Sequence, residues 1–428
     1  MRTTAKLMVW VFFAVSLASG ALAADPTISD VVARQRWPWS QLVDVDYVLT
    51  CDATQSVDVA VTAKDGSTTL TLPSESLSGD LNGVSTGLRR IVWDPTKTAY
   101  TNRQMLTQFS VTLTPTEAPL YMIVDLTKSA GADGQVEYIY PGDARLVTYG
   151  RFTNVWFGVT NDSAYATTKL VLRRVHAGTF GMGDSANIST TLTKDFYAGA
   201  FKVTQRQWEL ITGTKPSFFN NATCYASRPV EQVSYNNIRG AMNDNPVVNW
   251  PATDRTVVST NSFLGKLRAK TGLMTFDLPT EAQWEYMCRA GTTTYYSDGL
   301  GTPGNTTSNA QLNVLGRYKY NGGLYSSGAW PSPSCGLTSG SATVGSYLPN
   351  NWGIYDTHGN VCEWCLDWYD NSVTGGLDPS GPVSKTTRIL RSGSFGDDAA
   401  TCRSAFRYPY SPNSCYCNIG FRIVLTLP

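Results

Sequence analysis

The side chains able to do chemistry gather in the second half of the chain. Nine cysteines stand at positions 51, 224, 288, 335, 362, 365, 402, 415 and 417. A thiol becomes a nucleophile, a redox centre or a soft-metal ligand once it loses its proton. Cys362 and Cys365 form a CxxC, a spacing shared by redox and zinc sites. No second CxxC accompanies it and no thioredoxin-like strand-helix-strand pattern surrounds it, so structural pairing or burial is the reading. The odd count leaves at least one thiol unpaired, and isolated Cys51 reads as a small buried hydrophobe. Cys402 stays open between pairing with Cys288, pairing with Cys365, and a free thiol. Glu281 and Glu285 are four apart, which suits an acid-base pair or, the reading adopted, a capped helix carrying acids in its first turn. His358 reads as a turn residue with one satisfied hydrogen bond.

These residues sit in a chain of 428 with 34 basic and 33 acidic side chains, a formal charge of +1. Such a balance supplies no long-range field, so neither nucleic acid nor an anionic membrane is the expected partner. Aromatics make up 11% and charged residues 16%, a composition of strands and packed loops that excludes disorder and coiled coil. At the start, Arg2 and Lys6 precede an apolar run from Leu7 to Leu17 and a small-residue exit at Ala21 to Ala23. This pattern reads as a signal peptide cut after Ala23, because the run is too short for the roughly 20 residues of a spanning helix. The expectation is an exported protein, secreted, periplasmic or on the cell surface, with no membrane span in the mature chain.

The positioning elements divide the chain. Residues 24-118 alternate apolar and polar side chains in short runs at Val43 to Thr50, Ser56 to Ala63 and Ser67 to Pro73, then in RRIVWDP and QFSVTLTP. That period predicts half-buried strands and a β-sandwich of immunoglobulin or fibronectin type, to which no reactive site is assigned. Residues 119-170 read as connecting strands and linker. From 171 to 428 the helix signals are short and well capped. Thr204 with Gln207 and Thr280 with Gln283 spell capping boxes, closed by Gly213 and Gly291. About 60 residues from Gly291 to Asn350 show little periodicity. Irregular chain of that extent calls for staples, disulfides or metal ions being the usual ones. Trp352, Trp364, Trp368, Tyr408 and Tyr410 suit a ligand groove and a loop-rich core equally.

Several phrases, in order, carry a family resemblance: AGTFGMGD from Ala177, FKVTQRQWELITG, KPSFF, RPVEQVSYNN, LPTEAQWEYMCRAGT, VGSYLPNNWGIYDTHGNVCEWCLDWYD, LRSGSF, and CRSAFR through NIGFR. They resemble the formylglycine-generating enzyme, or sulfatase-modifying factor, family over residues 171-428. The resemblance implies one α+β domain of low regular content, related to the C-type lectin fold and stabilised by calcium. Its enzymes oxidise a sulfatase cysteine to formylglycine with dioxygen, using copper(I) held by two thiolates, a choice that suits a soft metal.

The copper ligands do not carry over. Counting forward from Ser392-Gly393-Ser394-Phe395 puts the two thiol places on Asp397 and Cys402, whereas counting back from Asn418-Ile419-Gly420-Phe421-Arg422 puts them on Ser394 and Ala399. Under neither count is there a pair, so Cys402 and Ser394 are the residual catalytic positions and copper belongs only to the alternative of an active oxidase. A second branch, resembling ergothioneine synthases, binds iron through a histidine cluster, and His176 and His358 are too few for that. The calcium loop carries over better, implying Asp356, Gly359, Val361 and Glu363 as ligands, with a weaker second site at Asn313 and Val314. The function expected is a divergent, re-purposed member that binds an exported protein or peptide, or a glycan, in a groove around Ser394, Asp397, Cys402 and Arg407.

Overall fold

The computed structural model describes residues 26-36, 40-51, 57-99, 108-149, 152-156, 162-240, 258-300 and 307-427. The expected signal peptide, residues 1-23, lies outside them. Among the described residues no helix is long and apolar enough to cross a membrane.

The alternating runs near the start do form strands. Val43–Thr50 buries every second side chain, and it pairs antiparallel with Gly87–Trp93 and with Thr27–Gln35, a strand the alternation did not announce. This sheet of four, with Leu77–Gly79 at its edge, faces a sheet of three built on Val57–Asp65 and Phe109–Glu117. Tyr47, Leu49, Val57, Ile91 and Trp93 share one core between them. Cys51 packs at its margin and is half-buried.

The rest of the chain mixes helix and sheet. Its central sheet has six strands in the order Phe276–Asp277, Val424–Thr426, Phe196–Gly199, Lys169–Val175, Tyr121–Asp125 and Val136–Ile139. The segment 119-170 therefore contributes two strands to this sheet rather than only joining two units. Side chains alternate across it as a strand requires. Phe196 and Ala198 enter one core, while Tyr197 between them enters the other. Helices Gln205–Thr212 and Phe263–Thr271 cover the Tyr197 face, where the rings of Trp208 and Phe263 stack at 4.9 Å. Helix Glu281–Arg289 covers the opposite face through Ala282, Trp284, Met287 and Cys288.

Both capping boxes form: the backbone N–H of Gln283 donates to Thr280 Oγ1 at 3.1 Å, and the Thr280 N–H donates back to Gln283 Oε1 at 2.9 Å. The second helix closes at Ala290, left-handed at φ 46°, one residue before the Gly291 that the sequence suggested. A further sheet, Tyr408–Tyr410, Arg388–Arg391, Cys362–Trp368 and Ile419–Gly420, carries most of the candidate site.

The long irregular stretch is held, among its described residues, by side-chain hydrogen bonds. Cys224, Cys288, Cys335, Cys362, Cys365, Cys402, Cys415 and Cys417 are free thiols, and among the described residues no group of three His, Cys, Asp or Glu side chains could hold a metal. Guanidinium groups do the work instead. Arg228 donates to the carbonyls of Gly336 and Ser339, and Arg317 to those of Asn321 and Leu337. A fixed fork of donors satisfies several loop carbonyls at once, which offsets the cost of burying them.

Candidate functional site

The strand Cys362–Trp368 is buried along its whole length and feeds three places at once. Cys362 and Cys365, an odd number of residues apart on a strand, point to opposite faces and enter different cores. The CxxC therefore cannot close on one metal or one disulfide, and burial is its role. Trp364 and Trp368 are core residues as well, whereas Tyr408 and Tyr410 are half-buried.

The residues Ser394, Asp397 and Cys402 do come together. Ser394 Oγ donates to Asp397 Oδ2 at 2.6 Å and accepts from Asn418 Nδ2 at 3.2 Å. Cys402 has 0% exposure, and its thiol lies 3.9 Å from the Ser394 carbonyl. Burial pushes this thiol well above its usual range, and the Asp397 carboxylate pushes the same way. Cys362 shares the same surroundings: burial and then Asp397 raise its thiol too, and it acts electrostatically on Cys402. Counting along the C-terminal loop could not have found this neighbour, which stands far earlier in the chain. An open cuprous site needs two deprotonated thiols facing substrate. These two face the interior beside an anion, so the thiols present do not fit that site.

Arg407 belongs to another patch. Its guanidinium pairs with Glu281, donating to Oε2 at 2.8 Å, and also donates to the Asp370 carbonyl at 2.8 Å. It lines a small surface hollow with Met182, Glu281, Asp367 and Trp368. Burial, then the Glu281 charge, raises the Asp367 carboxyl to about 7. Glu285 is tied instead to Arg289, at 2.8 Å, and to Arg391. Arg391 also lies 3.5 Å from Glu281, so the two glutamates share one buried arginine and each has a second of its own, as a capped structural helix would have them. His358 proves to be more than a turn residue. It is buried, its Nδ1 lies 2.8 Å from the Cys402 carbonyl, and its Nε2 accepts from the Ser297 N–H at 3.1 Å. Burial lowers it to about 4, which leaves it neutral near pH 7.

The loop expected to hold calcium is buried and rich in oxygens, but its donors are spoken for. Glu363 Oε2 accepts from Trp284 Nε1 at 2.7 Å and Arg422 Nε at 3.1 Å, and Oε1 accepts from Arg422 Nη2 at 2.9 Å. Lys202 Nζ also donates to Glu363 Oε1. The Val361 carbonyl accepts from Lys202 at 2.9 Å, and the Gly359 carbonyl accepts from Ser392 Oγ at 3.1 Å. Burial works to raise Glu363, but Arg422 and then Lys202 outweigh it and hold the carboxyl at about 2. Burial also pulls Lys202 down. Its Nζ nonetheless faces acceptors only, the Val361 carbonyl, the Glu363 carboxylate and a Ser392 Oγ whose own hydrogen goes to the Gly359 carbonyl, which is the setting of an ammonium. Asp356 is buried with its Oδ1 unpartnered, and its Oδ2 accepts from the Gly345 N–H at 2.7 Å. With two cations already balancing two carboxylates, this set does not fit a divalent ion. At the weaker position Val314 is exposed and its carbonyl accepts from the Leu348 N–H at 2.8 Å, while Asn313 is also exposed. Nothing in the sequence singles out Lys202, one lysine in FKVTQ.

Comparison with known proteins places this architecture. The chain belongs to the sulfatase-modifying factor enzyme 1-like domain family, which matches residues 160–427. It is 35% identical to the formylglycine-generating enzyme of Mus musculus over 152 residues, 34% of this chain and 38% of that enzyme. The matches span less than half the length of the formylglycine-generating enzymes compared. It is also 26% identical to chaperone protein LppX of Paenibacillus barcinonensis, over 62% of this chain and 92% of that protein. Among solved structures, Treponema denticola variable protein 1 superposes with a TM-score of 0.44 at 25% identity, covering 61% of this chain and 96% of that one.

Proposed function

We propose that this chain is a divergent, exported member of its family that binds a protein or peptide partner, or a glycan, and does not oxidise a substrate cysteine. The observation that carries the reading is the burial of Cys402, whose thiol is pushed up beside Asp397 with no open face. A binding surface tolerates the loss of a thiolate pair, whereas a cuprous centre does not. Around the Ser394–Asp397 bond the surface is aromatic. Trp330, 52% exposed, packs edge-on to Phe395 at 5.3 Å, and Tyr416, 53% exposed, packs on Tyr410 at 5.8 Å. Exposed Trp and Tyr beside a polar pair are a common composition for the anchor of a recognition patch. The near full-length likeness to a protein named a chaperone also supports partner handling. Export rests on the leader pattern. The immunoglobulin- or fibronectin-type spacer and the C-type-lectin kinship of the second unit belong to the same proposal.

The other reading is an active formylglycine-generating oxidase, favoured by the nearness of Cys362 to Cys402. Mature protein incubated with copper(I), dioxygen and a Cys-x-Pro-x-Arg peptide separates the two by mass spectrometry. The proposal expects the peptide thiol unchanged. Copper-dependent conversion to aldehyde overturns it.

A further inference from the structure

We propose that the ε-ammonium of Lys202 is a built-in cation that occupies the loop cradle in place of calcium, so that this chain folds without a divalent ion there. The lysine side chain is completely buried. An ammonium carries three hydrogens. Here they meet three acceptors: the Val361 carbonyl at 2.9 Å, Ser392 Oγ at 3.1 Å, and the Glu363 carboxylate. Two of these, Val361 and Glu363, are groups that the family resemblance assigns to the metal. A third, the Gly359 carbonyl, is held by the Ser392 hydroxyl that also accepts from Lys202. The lysine therefore reaches the expected ligand set directly and through one hydroxyl.

Charge points the same way. Glu363 and Asp356, whose carboxyl burial pushes up, face the positive groups of Lys202 and Arg422. A calcium ion added to this cradle would leave two uncompensated positive charges in a buried site, which costs more than its oxygen contacts return. Distance matters too, because calcium draws its oxygens to about 2.3–2.6 Å and would have to displace the ammonium to do so. The arginine staples of the long loop follow the same logic, with side-chain cations serving carbonyls.

Removing the ammonium should open the cradle. A Lys202→Ala variant leaves Glu363, the Val361 carbonyl and the unpartnered Asp356 Oδ1 around a vacated volume with one excess negative charge. The test compares wild type and K202A after chelation, by thermal unfolding with and without 10 mM calcium and by terbium emission sensitised through Trp284. Wild type should show no calcium-dependent rise and no saturable terbium signal. K202A should gain both, with a rise of about 3–10 °C if the new site resembles weak extracellular ones. If K202A folds only when calcium is supplied, that is the same gain. A wild type stabilised by calcium in a way that Glu363→Gln abolishes overturns the proposal. So does a K202A protein that folds without calcium and does not respond to it. Should K202A fail to fold with or without calcium, the wild-type arm decides alone.

Discussion

Replacing Glu363 with glutamine isolates the charge at the centre of the second unit while keeping the shape of the side chain. In the wild type this carboxylate accepts from Trp284, Arg422 and Lys202, all buried. The substitution leaves Lys202 and Arg422 facing Asp356 alone. Removing one partner of a buried ion pair costs about 3–5 kcal/mol. The acid equilibrium gives a second figure. A carboxyl at 4.5 in the unfolded chain and about 2 in the fold contributes about 3 kcal/mol. Glu363 holds its proton less readily when folded, so this stability is complete above the unfolded value and is lost as pH falls through 4.5 toward 2. The assay is urea unfolding followed by the fluorescence of buried Trp284 and Trp364, at pH 7 and at pH 3. E363Q should be less stable by about 3 kcal/mol at pH 7, or about 6–12 °C in Tm, and the gap should narrow at pH 3. Equal stability at pH 7, or a gap independent of pH, would refute the reasoning.

Further outcomes are expected elsewhere. Asp58, on the strand Val57–Asp65 of the first unit, accepts from Arg174 Nη1 at 2.7 Å and Nη2 at 2.6 Å, while Arg174 Nε donates to Asp195 at 2.8 Å. Asp58→Ala should remove about 2 kcal/mol of coupling between the units, seen in calorimetry as one transition parting into two. Thr280→Ala should cost about 1 kcal/mol through its lost capping box, measured by the denaturant midpoint at unchanged slope. Gly393 sits at φ +66°, and a Cβ there would lie 2.8 Å from Cys402 Sγ and 2.9 Å from the Thr401 carbonyl. Gly393→Ala should therefore destabilise by more than about 1 kcal/mol, read from the same unfolding curves.

What the sequence disclosed follows from what is local. The capping boxes at Thr204 and Thr280 rest on residues three apart, and the strand at Val43–Thr50 rests on a period of two. Both signals are complete within one element. The family phrases placed the domain because they are long and keep their order. The site depended on pairs distant in the chain. Cys362 neighbours Cys402 through the fold, on a strand that pairs with Arg388–Arg391. Lys202 meets Glu363 across a longer separation still, 161 residues. Neither proximity leaves a trace in spacing. The calcium expectation meets a related limit: the loop's oxygens are visible in the sequence, but the lysine that reaches them in the fold comes from another segment. Its place in the loop groups Arg407 with Asp397, yet its guanidinium turns to Glu281 on the helix Glu281–Arg289.

The central claim is that the thiol at Cys402 is an interior side chain and not a ligand facing a cleft. Timed alkylation of the native protein, followed by peptide mass spectrometry, tests it most directly. Cys415, which is exposed, should be labelled first, and Cys402 and Cys362 should react only after denaturant is added. Rapid labelling of Cys402 in the native protein at neutral pH, or its protection by copper(I) alone, would contradict the account.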